Sequence, residues 1–195
     1  MTGSKKTPAR SGGGDRSPDA NGLVDAAYPL TEFFSTALQL EMLPGEQLPE
    51  PYRTLLVNED DMTPVLEAHH DQTMTLRVLS KKMQSQVLLR EVLLIGTANS
   101  VVAAFGAIWI NLVRFDNGSR AMILECRLPL GSILHRCEIA HSSRPTAFFR
   151  VRHDAHMRQA LGPQSADWLY GRHNRLCDAR QQTLAEVVEI LPAAS

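Results

Sequence analysis

Between residues 73 and 115 the chain contains three strand-like runs joined by short links: TMTLRVLSKK (73–82), QVLLREVLLIG (86–96) and VVAAFGAIWINLVRF (101–115). Neighbouring strands with links this short can only pair antiparallel, since a parallel return needs a crossover of a dozen residues or more. Further strands are expected near 143–152, 167–177 and 183–191. Helical stretches fall between these strands without a regular βαβ alternation. No internal repeat is present, so doubly wound and barrel architectures are disfavoured and an α+β fold is expected, an antiparallel sheet with helices covering it.

The remaining segments fit around that sheet. Residues 1–22 are rich in Gly, Ser, Pro and charge and carry too little apolar surface to order themselves, so they read as a disordered tail before one domain over residues 23–195. Leu30, Phe33, Phe34, Ala37, Leu38 and Leu40 recur at helical spacing, and the segment Tyr28 to Leu43 reads as an amphipathic helix stopped by Gly45. Asp60 or Asp61 ahead of Met62, with Pro64 in the first turn, marks a helix start capped by a carboxylate. The triplet NGS (117–119) ends the third strand, Ser119 can cap a short helix to Arg127, and PLGSILHRC feeds another helix. MRQALG reads as a helical turn.

Several function classes lose their usual support. The chain carries 20 Lys+Arg against 21 Asp+Glu, a formal charge of -1, so it has no overall cationic field to gather nucleic acid or an anionic membrane. Neither is expected as a partner. Cys126, Cys137 and Cys177 are scattered, without zinc-site spacing or the density of a disulfide scaffold, and read as reduced thiols in a cytoplasmic protein. No stretch approaches the ~20 apolar residues of a membrane span. Gly-rich phosphate loops, G-x-S-x-G and H-E-x-x-H are absent. His69–His70 and His153/His156 lack the companions of a metal site and read as exposed polar residues.

Two places carry misplaced charge. Arg90 and Glu91 sit in the middle of VLLREVLLIG, where alternation puts Arg90 beside Leu88 and Val92 and Glu91 beside Leu89 and Leu93. Both faces are apolar, so one of the two charges should enter a core or pocket, where a guanidinium needs an anion. An exposed strand arginine is the competing interpretation. Near the C-terminus, Glu186 and Glu189 interrupt one strand and Arg172 and Arg175 the preceding one. Salt bridges across a hairpin would account for these four without any function.

Four segments in order resemble the chorismate pyruvate-lyase superfamily: LLVNEDDMTPVLEA, LLREVLL, RLPLGSIL, and LYGRHNRL followed by a Glu-containing strand ending ILPA. The similarity spans about residues 53–193. It implies a chorismate lyase-like fold with a buried pocket for a small-molecule carboxylate, in a monomer or homodimer. Carried over, Arg90 matches a carboxylate-binding arginine, and Met62 and Leu130 match residues that offer backbone N–H groups to the ligand. Arg172 and Arg175 match arginines of the hairpin, and Glu189, or failing that Glu186, matches a glutamate opposite the carboxylate. The activity implied is a lyase without cofactor or metal that eliminates pyruvate from chorismate to give 4-hydroxybenzoate, or a related elimination in specialised metabolism. The same fold also serves as an effector-binding domain in transcription regulators, so a non-catalytic sensor of an aromatic acid is the alternative.

Overall fold

The structure, a computed structural model, describes residues 26–35 and 37–194. The expected tail lies outside the described residues. Seven strands form one sheet: β1 (Leu40–Leu43), β2 (Met74–Gln84), β3 (Val87–Gly96), β4 (Val102–Asn111), β5 (His141–Arg152), β6 (Trp168–Asp178) and β7 (Thr183–Leu191). Their spatial order is β1-β5-β6-β7-β4-β3-β2, and every neighbouring pair is antiparallel. Five helices accompany the sheet: α1 (Tyr52–Leu56), α2 (Met62–His70), α3 (Asn117–Glu125), α4 (Leu130–Arg136) and α5 (Ala155–Leu161).

Composition follows position in the sheet. β3 lies between β2 and β4 and is covered on both faces, which is why it reads as a nearly unbroken apolar run. β2 is an edge strand, and its exposed end carries Lys81 and Lys82, charges that discourage another chain from pairing there. On one face Leu93, Ile95, Phe105, Phe149, Val151 and Ile190 pack against Leu30 and against Met157 and Leu161 of α5. On the other face two separate clusters form. One gathers Leu88, Ile108, Ile110 and Leu176 under Ile123 of α3 and Ile133 and Leu134 of α4. The second gathers Leu94, Ala104 and Leu191 under Leu55, Leu56, Met62 and Leu66 of α1 and α2.

Three local expectations are corrected. The helix expected from Tyr28 to Leu43 is a single 3-10 turn, Leu30–Phe33, followed by extended chain that becomes β1. Its apolar residues are still used: Leu30 is fully buried and Phe33, Phe34, Leu38 and Leu40 pack on the first cluster. Pairing Leu40 with Val151 through Leu43 with Phe148 covers the C-terminal part of the β5 edge, from Phe148 to Val151. The third strand ends at Asn111, whose side chain accepts from the Val113 N–H, and a 3-10 turn follows. Asp116, not Ser119, caps α3, accepting from the Ser119 N–H at 2.8 Å and from the Ser119 hydroxyl at 2.9 Å.

Candidate functional site

Arg90 stands in the middle of β3 and is 1% exposed. Its Nε and Nη1 have no hydrogen-bond partner among the described residues. Burial pushes its pKa down, and the Cys126 side chain beside it pulls the other way. A guanidinium starts so far above neutrality that it stays charged in either case. Glu91, on the opposite face, is equally buried but has a partner, since His156 Nε2 lies 2.7 Å from its Oε1. The sequence thus places both charges inside the protein, one compensated and one not. His156 is exposed, as the sequence suggested, and also bonds the buried Glu91.

Arg90 lines a cavity of about 80 Å³ that lies between the two clusters on its face of the sheet. Its floor is apolar, made by Val92, Leu94, Ala104 and Ile108 with Leu176 and Val187. Across from the floor stand Asp61, Met62 and Thr63 at the start of α2, and Pro129, Leu130 and Gly131 at the start of α4. First-turn N–H groups have no carbonyl within their own helix, and the nine-residue α2 adds the positive end of its dipole. A buried cation with unpartnered nitrogens, helix first turns and apolar walls together suit a small anion with an apolar body.

Glu189 also lines the cavity, and Glu186 does not. The two are three residues apart on a strand whose register runs unbroken from Ala185 to Leu191, so they point to opposite faces. Arg172 faces Glu189 across the ladder, with Nε 2.6 Å from Oε2. The rest of the Arg172 guanidinium donates to the carbonyls of Leu56, Asn58 and Asp60 and to Asn58 Oδ1, which pins the α1–α2 connection to the sheet. Burial pushes the Glu189 carboxyl above the ordinary glutamate range, against the pull of Arg172. Arg175 and Glu186 form a separate, partly exposed cross-strand pair at 3.1 Å, the outcome that needs no function.

Asp61 occupies the N-cap position of α2 but makes no capping hydrogen bond, contrary to the sequence expectation. Its Oδ2 is instead 2.9 Å from His141 Nε2, while His141 Nδ1 lies 2.9 Å from the Ile139 carbonyl. A carbonyl only accepts, so Nδ1 must donate, and a second donation from Nε2 to Asp61 makes the ring an imidazolium. The Asp61 carboxylate accordingly raises the His141 pKa, against partial burial. Asn174 of β6 is a further lining residue that the sequence did not single out. Of the expected site residues, Arg90, Met62, Leu130 and Glu189 line the cavity, Arg172 touches it through Glu189, and Arg175 and Glu186 stand outside. Among the described residues no group of three or more His, Cys, Asp or Glu side chains could hold a metal ion, and no helix is long and apolar enough to cross a membrane.

No protein-family model matches the sequence, and no curated protein does. In structure the chain is similar to PhnF from Mycobacterium smegmatis, with 12% identity and a TM-score of 0.55, over 70% of this chain and 65% of that one. It is similar to the effector domain of PhnF with 12% identity and a TM-score of 0.54, over 70% of this chain and 91% of that domain. A looser likeness, with 11% identity and a TM-score of 0.43, covers 61% of this chain and 91% of a GntR-family transcriptional regulator from Bacillus cereus. The chain thus spans about two thirds of the PhnF chain and most of its effector domain.

These likenesses show the fold: the expected α+β, chorismate lyase-like architecture with an antiparallel sheet is present. Two other expectations are overturned. The solved structures reported above at a TM-score over 0.5 are PhnF and its effector domain, not lyases, so release of pyruvate, formation of 4-hydroxybenzoate and a place in specialised biosynthesis lose their basis. The exclusion of nucleic acid as a partner also fails: the likeness covers only 65% of the PhnF chain, and the near-neutral charge of one domain does not decide what a longer protein binds.

Proposed function

We propose that this domain is a non-catalytic binding module that senses a small organic carboxylate with an apolar body, an aromatic acid foremost. The observation that carries this reading is the buried Arg90 guanidinium, with two nitrogens unpartnered, on the wall of an apolar cavity. A charge of that kind is costly to keep in a fold unless an anion compensates it. The carboxylate would sit on the fork of Arg90 with the N–H groups at the start of α2 nearby, and the ring or chain would lie over Val92, Leu94 and Ile108.

Binding without turnover has its own support. Arg172, which reaches the cavity through Glu189, has Nε, Nη1 and Nη2 each bonded, to Glu189 or to main-chain carbonyls, so a second carboxylate would not find an unpartnered guanidinium there. Glu189 is likewise bonded to Arg172 through Oε2. The likeness to the effector domain of PhnF agrees with this reading. Calorimetric titration with benzoate tests it. Benzoate should bind the wild-type protein, and Arg90→Ala should weaken it about a hundredfold. Arg90→Lys should also weaken it substantially, because a point charge does not replace a planar fork. Equal affinity in wild type and Arg90→Ala would overturn the assignment.

A further inference from the structure

Resting on the reading that Arg90 holds a carboxylate, we propose that the ligand also carries an amino group, which Asp61 and Asn174 select. The cavity has a donor pole and an acceptor pole. Arg90 supplies unpartnered donors at Nε and Nη1. Asp61 Oδ1 and Asn174 Oδ1 are buried acceptors without partners, and both residues line the same cavity. Buried polar atoms in folded proteins are nearly always hydrogen-bonded, so three residues around one cavity with atoms left over describe the complement of a ligand.

The two acceptors are fixed as acceptors by what holds their other ends. Ser143 Oγ donates to the Asp60 carbonyl at 3.3 Å, so toward Asn174 it can only accept, and Asn174 Nδ2 donates to it at 2.8 Å. The amide is thereby oriented with Nδ2 on Ser143, which leaves Oδ1 as the free atom. Asn174 is 1% exposed, so bulk water does not reach it. For Asp61, Oδ2 is taken by His141, which turns Oδ1 away from that partner. Gly131 packs beside this carboxylate, where a Cβ would come within 3.1 Å of Oδ2, so the start of α4 holds Asp61 in place from the other side.

Acceptors arriving from two elements, α2 and β6, need more than one hydrogen from the ligand. A hydroxyl offers one hydrogen and an amino group at least two, so an amino group can meet both unpartnered oxygens. A site built to receive such hydrogens discriminates against an isostere that lacks them, since its buried acceptors are then left unmet. The cavity therefore prefers a small amino-substituted acid to the plain acid of the same shape.

Near-isosteric pairs test this: 2-, 3- and 4-aminobenzoate against the corresponding methylbenzoates, titrated calorimetrically into wild type, Asp61→Ala and Arg90→Ala. At least one amino isomer should bind wild type about tenfold or more tightly than its methyl counterpart. That preference should vanish in Asp61→Ala while the methyl compound still binds, which shows an intact site. If every amino and methyl pair binds wild type equally, and Arg90→Ala abolishes both, the acceptor pole is refuted and the carboxylate site stands. If none of the six compounds binds wild type, or Arg90→Ala leaves their binding unchanged, the carboxylate site fails and the acceptor pole falls with it.

Discussion

Arg90 is a liability to the unliganded fold and the source of its proposed binding. Replacing it with methionine fills the same space without an uncompensated charge. Arg90→Met should therefore stabilise the unliganded protein by about 1 kcal/mol or more in denaturant unfolding while abolishing benzoate binding. A loss of stability would mean that Arg90 has a compensating partner after all. His141 makes a second prediction at this scale. Its pKa is raised in the folded state, so the stability it contributes is fully present below about pH 6.5, the unfolded value, and is lost as the pH rises through the higher folded value. Unfolding measured across that range should show the decline in wild type and not in His141→Gln. Arg90 was legible in the sequence because a charge interrupts an apolar run. Asp61 was misread because a carboxylate ahead of a helix looks the same whether it caps the helix or pairs with a histidine 80 residues away. Asn174 carried no signal, since a polar residue in a strand is ordinarily exposed and nothing in its neighbours marks this one as buried.

At the scale of elements, the strands that build the cavity floor must approach closely. Gly106 of β4 lies opposite Glu189 of β7, and a Cβ there would stand 2.2 Å from the Val188 carbonyl oxygen. Backbone cannot move aside cheaply, so Gly106→Ala should cost about 2–3 kcal/mol and loosen the ladder that aims Glu189 at the cavity. Gly118 in α3 meets only Asp116 Oδ1 at 3.4 Å, and Gly118→Ala should change stability by no more than about 0.5 kcal/mol. Comparing the two in urea checks the claim. Six of the seven strands were evident in the sequence because each is long and apolar or bounded by turn residues. β1 was not, because four residues cannot show a period of two, and the pairing that makes them a strand comes from β5, more than a hundred residues later in the chain. The cap of α3 was misassigned for a similar reason: Asp116 and Ser119 are both good caps, and only the geometry shows that the serine donates to the aspartate.

For the molecule as a whole, the order of four short motifs indicated the fold, and similarity to the PhnF effector domain agrees with it. Function was less legible, because the residues that would separate a lyase from a binding module differ in their partners and not in their identity. Glu189 and Arg172 stand in either kind of site, and the sequence could not show their mutual bond or the carbonyls that Arg172 also binds. The proposed binding role depends on a carboxylate completing Arg90. Its most direct test is a crystal structure of the protein with the tightest-binding of the benzoates. In that crystal the carboxylate should lie on Arg90 Nε and Nη1, close to the first turn of α2, with the ring over Val92 and Ile108. A benzoate bound elsewhere, with Arg90 turned to another protein group or to solvent, would contradict it.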